Sequence, residues 1–329
     1  MNIVNKSQVE IPSSFYVDSG MASKTIKRLG NFDKPNELLL KLQSLDAISF
    51  NYFVKWEENF SEGSIVKEAW IKRIVSLEDI NSISVDDIKN SDVDEKLRAL
   101  EGEEHIRSSV AMMQSIGFRL RYLLIFNKPY PENINDKAFV GFFMDYILEE
   151  DKFYYEFLSI SRLKEYIKRY TGRPLKVRKG LKVAETYLEA YLSKTDSPFP
   201  GDCDELIYDE DGIKVLIEYK KCTKKDGTQV EDQSFERFLQ SEDRLKYKRL
   251  NILREYINRI TSNTVPLINV LYSVEEKDKN IKLEKIGVDL TIEDTLVFEA
   301  NDVPKDNKER LLEYIRRMGI GDGKNENAD

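Results

Sequence analysis

Two short apolar runs joined by a tight turn constrain this chain more than any other feature of its sequence. They cover residues 204–209 and 213–220, and Glu210-Asp211-Gly212 separates them. A three-residue loop with glycine at the left-handed position is a common connection between antiparallel strands, so the pattern predicts a β-hairpin. If Asp209 pairs with Ile213, the register sets Asp204 directly opposite Glu218.

Three ionisable side chains share one face of this predicted hairpin. Alternation along the strands places Asp204, Glu218 and Lys220 together, with Asp202 opposite Lys220. Opposed carboxylates in an apolar hairpin repel each other unless a cation lies between them, and burying them alone is costly. A bound divalent metal explains the pair. The Lys220 ammonium beside it can hold an attacking water or offset charge on a phosphate.

This pattern resembles the PD-(D/E)XK nuclease superfamily, whose motif is an aspartate, a turn and an apolar strand that ends in Glu-x-Lys. Here Asp204 lies 14 residues before the glutamate of Ile217-Glu-Tyr-Lys220. The resemblance covers roughly residues 175–275. It implies an α/β fold with a restriction-endonuclease-like mixed sheet flanked by helices, and Mg²⁺-dependent hydrolysis of phosphodiester bonds.

The resemblance also implies roles for individual residues. Asp204 and Glu218 are the expected Mg²⁺ ligands, and the Tyr219 backbone carbonyl is a candidate third ligand. Lys220 is the expected catalytic lysine. Glu185 matches, by position, a catalytic glutamate that the family often adds from a preceding helix. Mn²⁺ is expected to substitute for Mg²⁺.

The sequence departs from the family's pattern in two places. The run from Pro200 to Asp204 has no adjacent Pro-Asp pair, so two aspartates compete for one role. Asp204 is preferred because it opens the strand and opposes Glu218, and Asp202 is the second choice. Residues 194–201 are also short and proline-rich for the strand that the family usually has before the aspartate.

Basic residues bracket the predicted site along the chain. Residues 161–183 have nine bases against one acid, and residues 244–259 have six against one. Such runs are usually solvated faces, but beside a candidate metal site they are equally consistent with phosphate-backbone contacts. The predicted nucleic-acid-binding residues are Arg169, Arg173, Lys176, Arg178, Lys179, Gln240, Lys246, Lys248 and Arg249.

Composition excludes several other classes. The chain has 51 Lys and Arg against 59 Asp and Glu, and its net charge of −8 argues against indiscriminate coating of nucleic acid or membranes. One histidine does not suit a Ser-His-Asp triad, and Cys203 and Cys222 are expected to be buried thiols. The lack of a signal-peptide core or a membrane-length apolar stretch predicts a cytoplasmic protein without membrane contact.

We expect two domains and a short tail. Residues 1–160 are predicted to form a mostly helical domain for recognition, regulation or a protein partner, including a homodimer. Helical spacing is assigned within it to residues 65–75 and, across its end, to residues 136–170. Residues 161–320 are predicted to form the nuclease domain, and residues 321–329 a disordered tail.

Two functions of different classes follow from the sequence. The first is a Mg²⁺-dependent endonuclease that acts on DNA rather than RNA, in restriction, phage defence or mobile-element processing. The alternative keeps the fold without the activity, as a catalytically silent module that binds nucleic acid or protein. Metal-dependent cleavage separates the two.

Overall fold

A computed structural model describes most of the chain and divides it into two compact units. The described residues are 14–18, 46–55, 62–79, 93–126, 134–172, 186–222, 229–241, 243–273, 280–299, 310, 313, 314 and 317. The first unit contains Met1–Met21, Phe50–Phe60 and Ser64–Asp202, and the second contains Ala22–Ser49, Ser61–Gly63 and Cys203–Asp329. Both units combine strands with helices, so the predicted α/β class is confirmed.

The first unit is built on a mixed sheet. Its strands are β1 (Ser14–Asp18), residues 50–54 of β2 (Asp46–Val54), β3 (Ile65–Asp79), β4 (Arg119–Phe126), β5 (Phe139–Ile147) and β6 (Lys152–Ser159). They follow the order β2-β3-β4-β5-β6, and β1 also pairs with β3. The β3–β4 pair is parallel, which requires a crossover, and helices α1 (Val93–Glu101) and α2 (Glu103–Ser115) lie between these strands in the chain.

Helices α3 (Ile160–Thr171) and α4 (Tyr187–Leu192) complete the first unit. The apolar face of α3 packs with Trp70 and Phe143 of the sheet in one buried cluster. Ser159 caps the N-terminus of α3 by accepting a hydrogen bond from the Arg162 N–H, and Gly172 ends it in the left-handed conformation. This helix ends one residue after the segment to which the sequence assigns helical spacing, residues 136–170.

Residues 65–75 and 136–159 form strands where the sequence predicted helices. The first segment belongs to β3 and the second contains β5 and β6. Both are rich in β-branched or aromatic side chains, which favour strands once a neighbouring strand is available. Short apolar runs also do not distinguish the periodicity of a helix from that of a strand. Within the described part of residues 1–160, the predicted mostly helical character is therefore not confirmed.

A buried ion pair lies inside the first unit. The Arg121 Nε donates to Glu68 Oε1 at 2.6 Å, and the same guanidinium lies 4.4 Å from the centre of the Phe143 ring. Burial raises the pKa of Glu68, and the adjacent Arg121 opposes that shift. The arginine therefore favours the charged form of this buried carboxylate.

We expect the Arg121→Met variant to lose about 3 kcal/mol of unfolding free energy, because it leaves Glu68 buried without its counter-ion. The loss of unfolding free energy should be smaller at mildly acidic pH. Because the pKa of Glu68 is raised in the folded state, its contribution to stability is fully present below the unfolded-state pKa and is lost as pH rises through the folded-state pKa. Urea denaturation at neutral and mildly acidic pH measures this. The Glu68→Gln/Arg121→Met double variant should recover part of the loss, and an equal loss at both pH values would contradict the assignment.

The second unit is also built on a mixed sheet. Its strands are β7 (Gly201–Asp209), β8 (Gly212–Cys222), β9 (Leu267–Ser273), β10 (Asn280–Ile286) and β11 (Ile292–Glu299), in the order β11-β10-β9-β8-β7, and residues 46–49 of β2 lie beside β7. The β8–β9 pair is parallel. Its crossover contains α5 (Phe235–Leu239) and α6 (Arg244–Thr261).

One face of this sheet is mostly apolar, and the other carries the buried polar residues Glu218, Asn269 and Glu284. On the apolar face, Ile217, Tyr219, Ile268, Val270 and Leu283 form a buried cluster. The other face receives α5 and α6, whose Phe235, Tyr247, Leu250 and Leu253 are buried. In the described part of the chain, no helix is both long enough and apolar enough to cross a membrane.

Candidate functional site

The β7–β8 hairpin has the predicted register near its open end. Glu205 pairs with Ile217, so the next position along β7 brings Asp204 opposite Glu218. The turn itself differs, because Asp209 pairs with Gly212 rather than Ile213, and a bulge between Ile207 and Tyr208 restores the register. The Asp209 carboxylate accepts a hydrogen bond from the Asp211 N–H at 2.8 Å and stabilises this tighter turn.

The two predicted carboxylates are buried and close to a shared cation. Asp204 is 6% exposed and Glu218 is fully buried. The Lys246 ammonium lies 2.6 Å from Glu218 Oε1 and 3.4 Å from Asp204 Oδ1. The Tyr219 N–H donates to the other Asp204 oxygen at 2.8 Å, which orients that carboxylate. A cation-binding position between opposed carboxylates is thus present, and a lysine from α6 reaches it.

Lys220 reaches the same carboxylate from the other side. Its Nζ lies 3.3 Å from Glu218 Oε1 and 3.3 Å from Asp243 Oδ2. The ammonium also lies 5.5 Å from the Phe238 ring centre and 5.4 Å from that of Tyr247. Two carboxylates and two aromatic rings hold the charge in place. The lysine is therefore positioned to act beside Glu218.

The polar face continues across the sheet beyond the hairpin. Asn269 of β9 lies opposite Glu218, and Glu284 of β10 lies opposite Asn269. The Asn269 amide donates to Glu284 at 3.2 Å and accepts from the Tyr247 hydroxyl at 2.7 Å. The Phe235 N–H also donates to Glu284, at 2.9 Å. Hydrogen bonds thus join β9, β10 and both helices of the crossover beside the candidate site.

Tyr247 stays protonated in this environment. Burial raises the pKa of its hydroxyl above the ordinary value, and the Glu218 carboxylate raises it further. Lys246 acts in the opposite direction. A protonated hydroxyl can donate to Asn269, and Asn269 in turn donates to Glu284. Tyr247 therefore fixes the orientation of the neighbouring amide.

The neighbouring acid, Glu205, lies on the face of the hairpin opposite the site. Glu205 is buried, and its carboxylate accepts a hydrogen bond from the Tyr219 hydroxyl. Alternation along β7 sends Glu205 and Asp204 to different faces. Cys203 and Cys222 are buried thiols, as the sequence predicted.

The predicted site residues fall into three groups. Asp204, Glu218, Lys220 and Lys246 lie together, and Tyr219 contributes its N–H to them. Gln240 follows α5 with its side chain exposed, Lys248 is exposed on α6, Arg249 is half-buried on α6, and Asp202 is half-buried near the start of β7. Glu185, Arg173, Lys176, Arg178 and Lys179 lie outside the described residues.

The described basic residues of α3 have acidic neighbours. Arg162 and Arg169 each lie 2.8 Å from a Glu165 oxygen, Lys164 lies 3.6 Å from Asp136, and Lys168 lies 2.9 Å from Asp196. A charged surface neutralised in this way matches an ordinary solvated face. The predicted phosphate contact through Arg169 would require it to exchange Glu165 for a phosphate.

Sequence reasoning missed the acids and the amide that lie around the predicted motif. Asp243 immediately precedes α6, and Asn269 and Glu284 interrupt the apolar strands β9 and β10. A polar residue inside a run typical of a buried strand is a detectable signal, because burying it requires partners. The partners themselves could not be read from that signal.

Among the described residues, Asp204 and Glu218 are the two carboxylates that meet at this position. Within the part of the chain that the structure describes, no group of three Asp, Glu, His or Cys side chains is arranged to hold a metal ion. A metal bound by Asp204 and Glu218 would complete its shell with backbone oxygen, water or substrate oxygens.

Comparison of the chain with family models, with curated proteins and with solved structures finds no match.

Proposed function

We propose that this chain is a metal-dependent nuclease of the PD-(D/E)XK type, with DNA as its substrate and the second unit as a restriction-endonuclease-like domain. The observation that supports this most is the convergence of Asp204, Glu218 and Lys220. Glu218 and Lys220 are separated by one residue on β8, and the Lys220 Nζ lies 3.3 Å from the Glu218 carboxylate. A helical crossover from β8 to the parallel strand β9 supports the proposal further.

The donor set suits Mg²⁺ or Mn²⁺. Both ions prefer hard oxygen ligands, and Asp204 and Glu218 supply carboxylate oxygens on one face of the hairpin. The Lys246 ammonium within 3.4 Å of both carboxylates shows that the pair accommodates positive charge. When bound, the metal would supply Lewis-acid stabilisation of charge on the scissile phosphate.

The protein's own groups have separate tasks in the proposed reaction. Asp204 and Glu218 hold the cation, and the Tyr219 N–H keeps Asp204 oriented toward it. Lys220, held between Glu218 and Asp243, positions the attacking water and offsets charge that develops on the phosphate. Burial of the carboxylates strengthens these electrostatic interactions relative to those in bulk water.

One observation favours the second candidate, a catalytically silent binding module. Lys246 already neutralises charge between Asp204 and Glu218, so the site is stable without a metal. In that case the fold would present its basic residues to a nucleic acid or protein partner without cutting. The two candidates differ in one measurable property, which is metal-dependent cleavage.

We expect the purified full chain to cleave DNA in the presence of Mg²⁺ or Mn²⁺ and to lose this activity in EDTA. The assay uses single- and double-stranded DNA and RNA, with product lengths read on denaturing gels. The Lys220→Met variant should lose the activity. The Lys214→Met variant is the matched control, because it removes an ion-paired lysine of the same strand near the turn. Failure to cut any substrate with either metal would refute the nuclease, and binding without cutting would support the silent module.

A further inference from the structure

Lys246 occupies the position that a bound cation would take between Asp204 and Glu218. It is the third residue of α6, and its ammonium lies 2.6 Å from one carboxylate and 3.4 Å from the other. The lysine side chain is 21% exposed, whereas Glu218 is fully buried. The Lys246 side chain is therefore partly in contact with solvent, whereas the Glu218 carboxylate is not.

The two lysines at this position pair with different sets of carboxylates. Lys220 lies equally close to Glu218 and Asp243, so its charge is shared between them. Lys246 is the cation that contacts both Asp204 and Glu218. A divalent ion added to this arrangement would leave excess positive charge in a buried site, which is unfavourable. Departure of Lys246 removes that excess.

We propose that Lys246 is a built-in counter-ion that a divalent metal displaces from the Asp204–Glu218 pair. The inference rests on the proposed function, because it concerns the same metal position. Before metal binds, the ammonium prevents two buried carboxylates from repelling each other. When metal binds, the lysine rotates toward solvent, and the metal takes over both oxygens. Lys246 thereby sets how much free metal the protein needs.

The lysine side chain is suited to such an exchange. A lysine can turn its charged end into water while its alkyl stem stays packed, so its departure does not require α6 to move. A divalent ion carries twice the charge of an ammonium and coordinates oxygen more closely. The exchange is therefore favourable only above a threshold metal concentration, which the strength of the Lys246 ion pairs determines.

Removal of Lys246 should strengthen metal binding. We expect the Lys246→Met variant to bind Mn²⁺ with a dissociation constant about tenfold or more below that of the wild type, because no ammonium competes for the carboxylates. Isothermal titration calorimetry of the full chain with Mn²⁺ alone measures this. In EDTA the variant should melt at a lower temperature than the wild type. Saturating Mn²⁺ should raise the melting temperature of the variant by more than it raises that of the wild type.

Matched variants make the result specific. Lys214→Met removes an ion-paired lysine with similar exposure, 17% against 21%, and should leave Mn²⁺ affinity unchanged. Adding Asp204→Asn to Lys246→Met should abolish the gain in Mn²⁺ affinity. If Lys246→Met does not fold, Lys246→Gln keeps a hydrogen-bonding group and serves the same purpose.

The inference and the proposed function fail in different ways. If Lys246→Met binds Mn²⁺ no more tightly than the wild type, or does not bind it, Lys246 is not a displaceable counter-ion. If the wild type cleaves no nucleic acid, the nuclease is refuted, whatever the Mn²⁺ affinities are. Tighter Mn²⁺ binding by Lys246→Met, lost on addition of Asp204→Asn, supports the inference in either case.

Discussion

We expect the Glu218→Gln variant to cleave DNA roughly 10²–10³-fold more slowly than the wild type, or not at all. The substitution keeps the shape of the side chain but removes the charge that a metal requires. It also removes the carboxylate that holds Lys220 at 3.3 Å and Lys246 at 2.6 Å. Both the proposed metal and Lys220, the proposed catalytic lysine, therefore lose their common partner. Initial cleavage rates at saturating Mg²⁺ measure the effect.

A neighbouring glutamate is the matched control for this variant. Glu205 is also buried and lies on the same hairpin, but its carboxylate binds the Tyr219 hydroxyl on the opposite face. Glu205→Gln should therefore keep cleavage near the wild-type rate. Circular dichroism and melting temperatures establish that both variants are folded. Wild-type cleavage by a folded Glu218→Gln variant would show that the reaction occurs elsewhere.

The largest expected effect on stability lies in the first unit, at Gly141. A Cβ on this residue would lie 1.8 Å from the Leu124 carbonyl oxygen and 3.0 Å from the Ile125 Cα. These are backbone atoms of β4, which pairs with β5 at this point, so they cannot rotate away. We expect Gly141→Ala to lower the unfolding free energy by more than about 4 kcal/mol, as measured by urea denaturation.

Another glycine of the same unit provides the comparison for Gly141. Gly102 has a positive φ of 82°, but a Cβ there would have no atom within 4 Å. Gly102→Ala should therefore cost only about 1–3 kcal/mol, the backbone strain of an alanine held at φ 82° and ψ 134°, a conformation that favours glycine. Similar losses for both variants would mean that β4 and β5 are not as closely paired as described.

The hairpin and its polar face could be predicted because they depend on local rules. Alternation sends every second residue to one face, and a short turn limits the registers available to two strands. The predicted turn was one residue too long, yet the bulge after Ile207 left Glu205 paired with Ile217 as expected. The strands at residues 267–273 and 280–286 were also predictable from short apolar runs between turn signals.

The elements of the first unit were harder to predict for a physical reason. Residues 65–75 have apolar side chains at spacings that fit a helix, but the segment pairs with β2 and β4 as part of a long strand. Strand formation depends on neighbours that are distant in sequence, and tertiary pairing overrides local periodicity. The aromatic residues of β5 belong to the core, since Phe139, Phe142 and Phe143 are buried.

The sequence by itself determined the grouping of Asp204, Glu218 and Lys220, because strand alternation and a tight turn act over a few residues. The α/β class was implied by the resemblance that this motif carries. Only the tertiary structure decided which cation lies between the two carboxylates. Lys246 reaches them from α6, and Asn269 extends the polar face from β9. Their positions depend on how the crossover packs α6 against the sheet and how β9 pairs with β8, and these long-range contacts have no local signature.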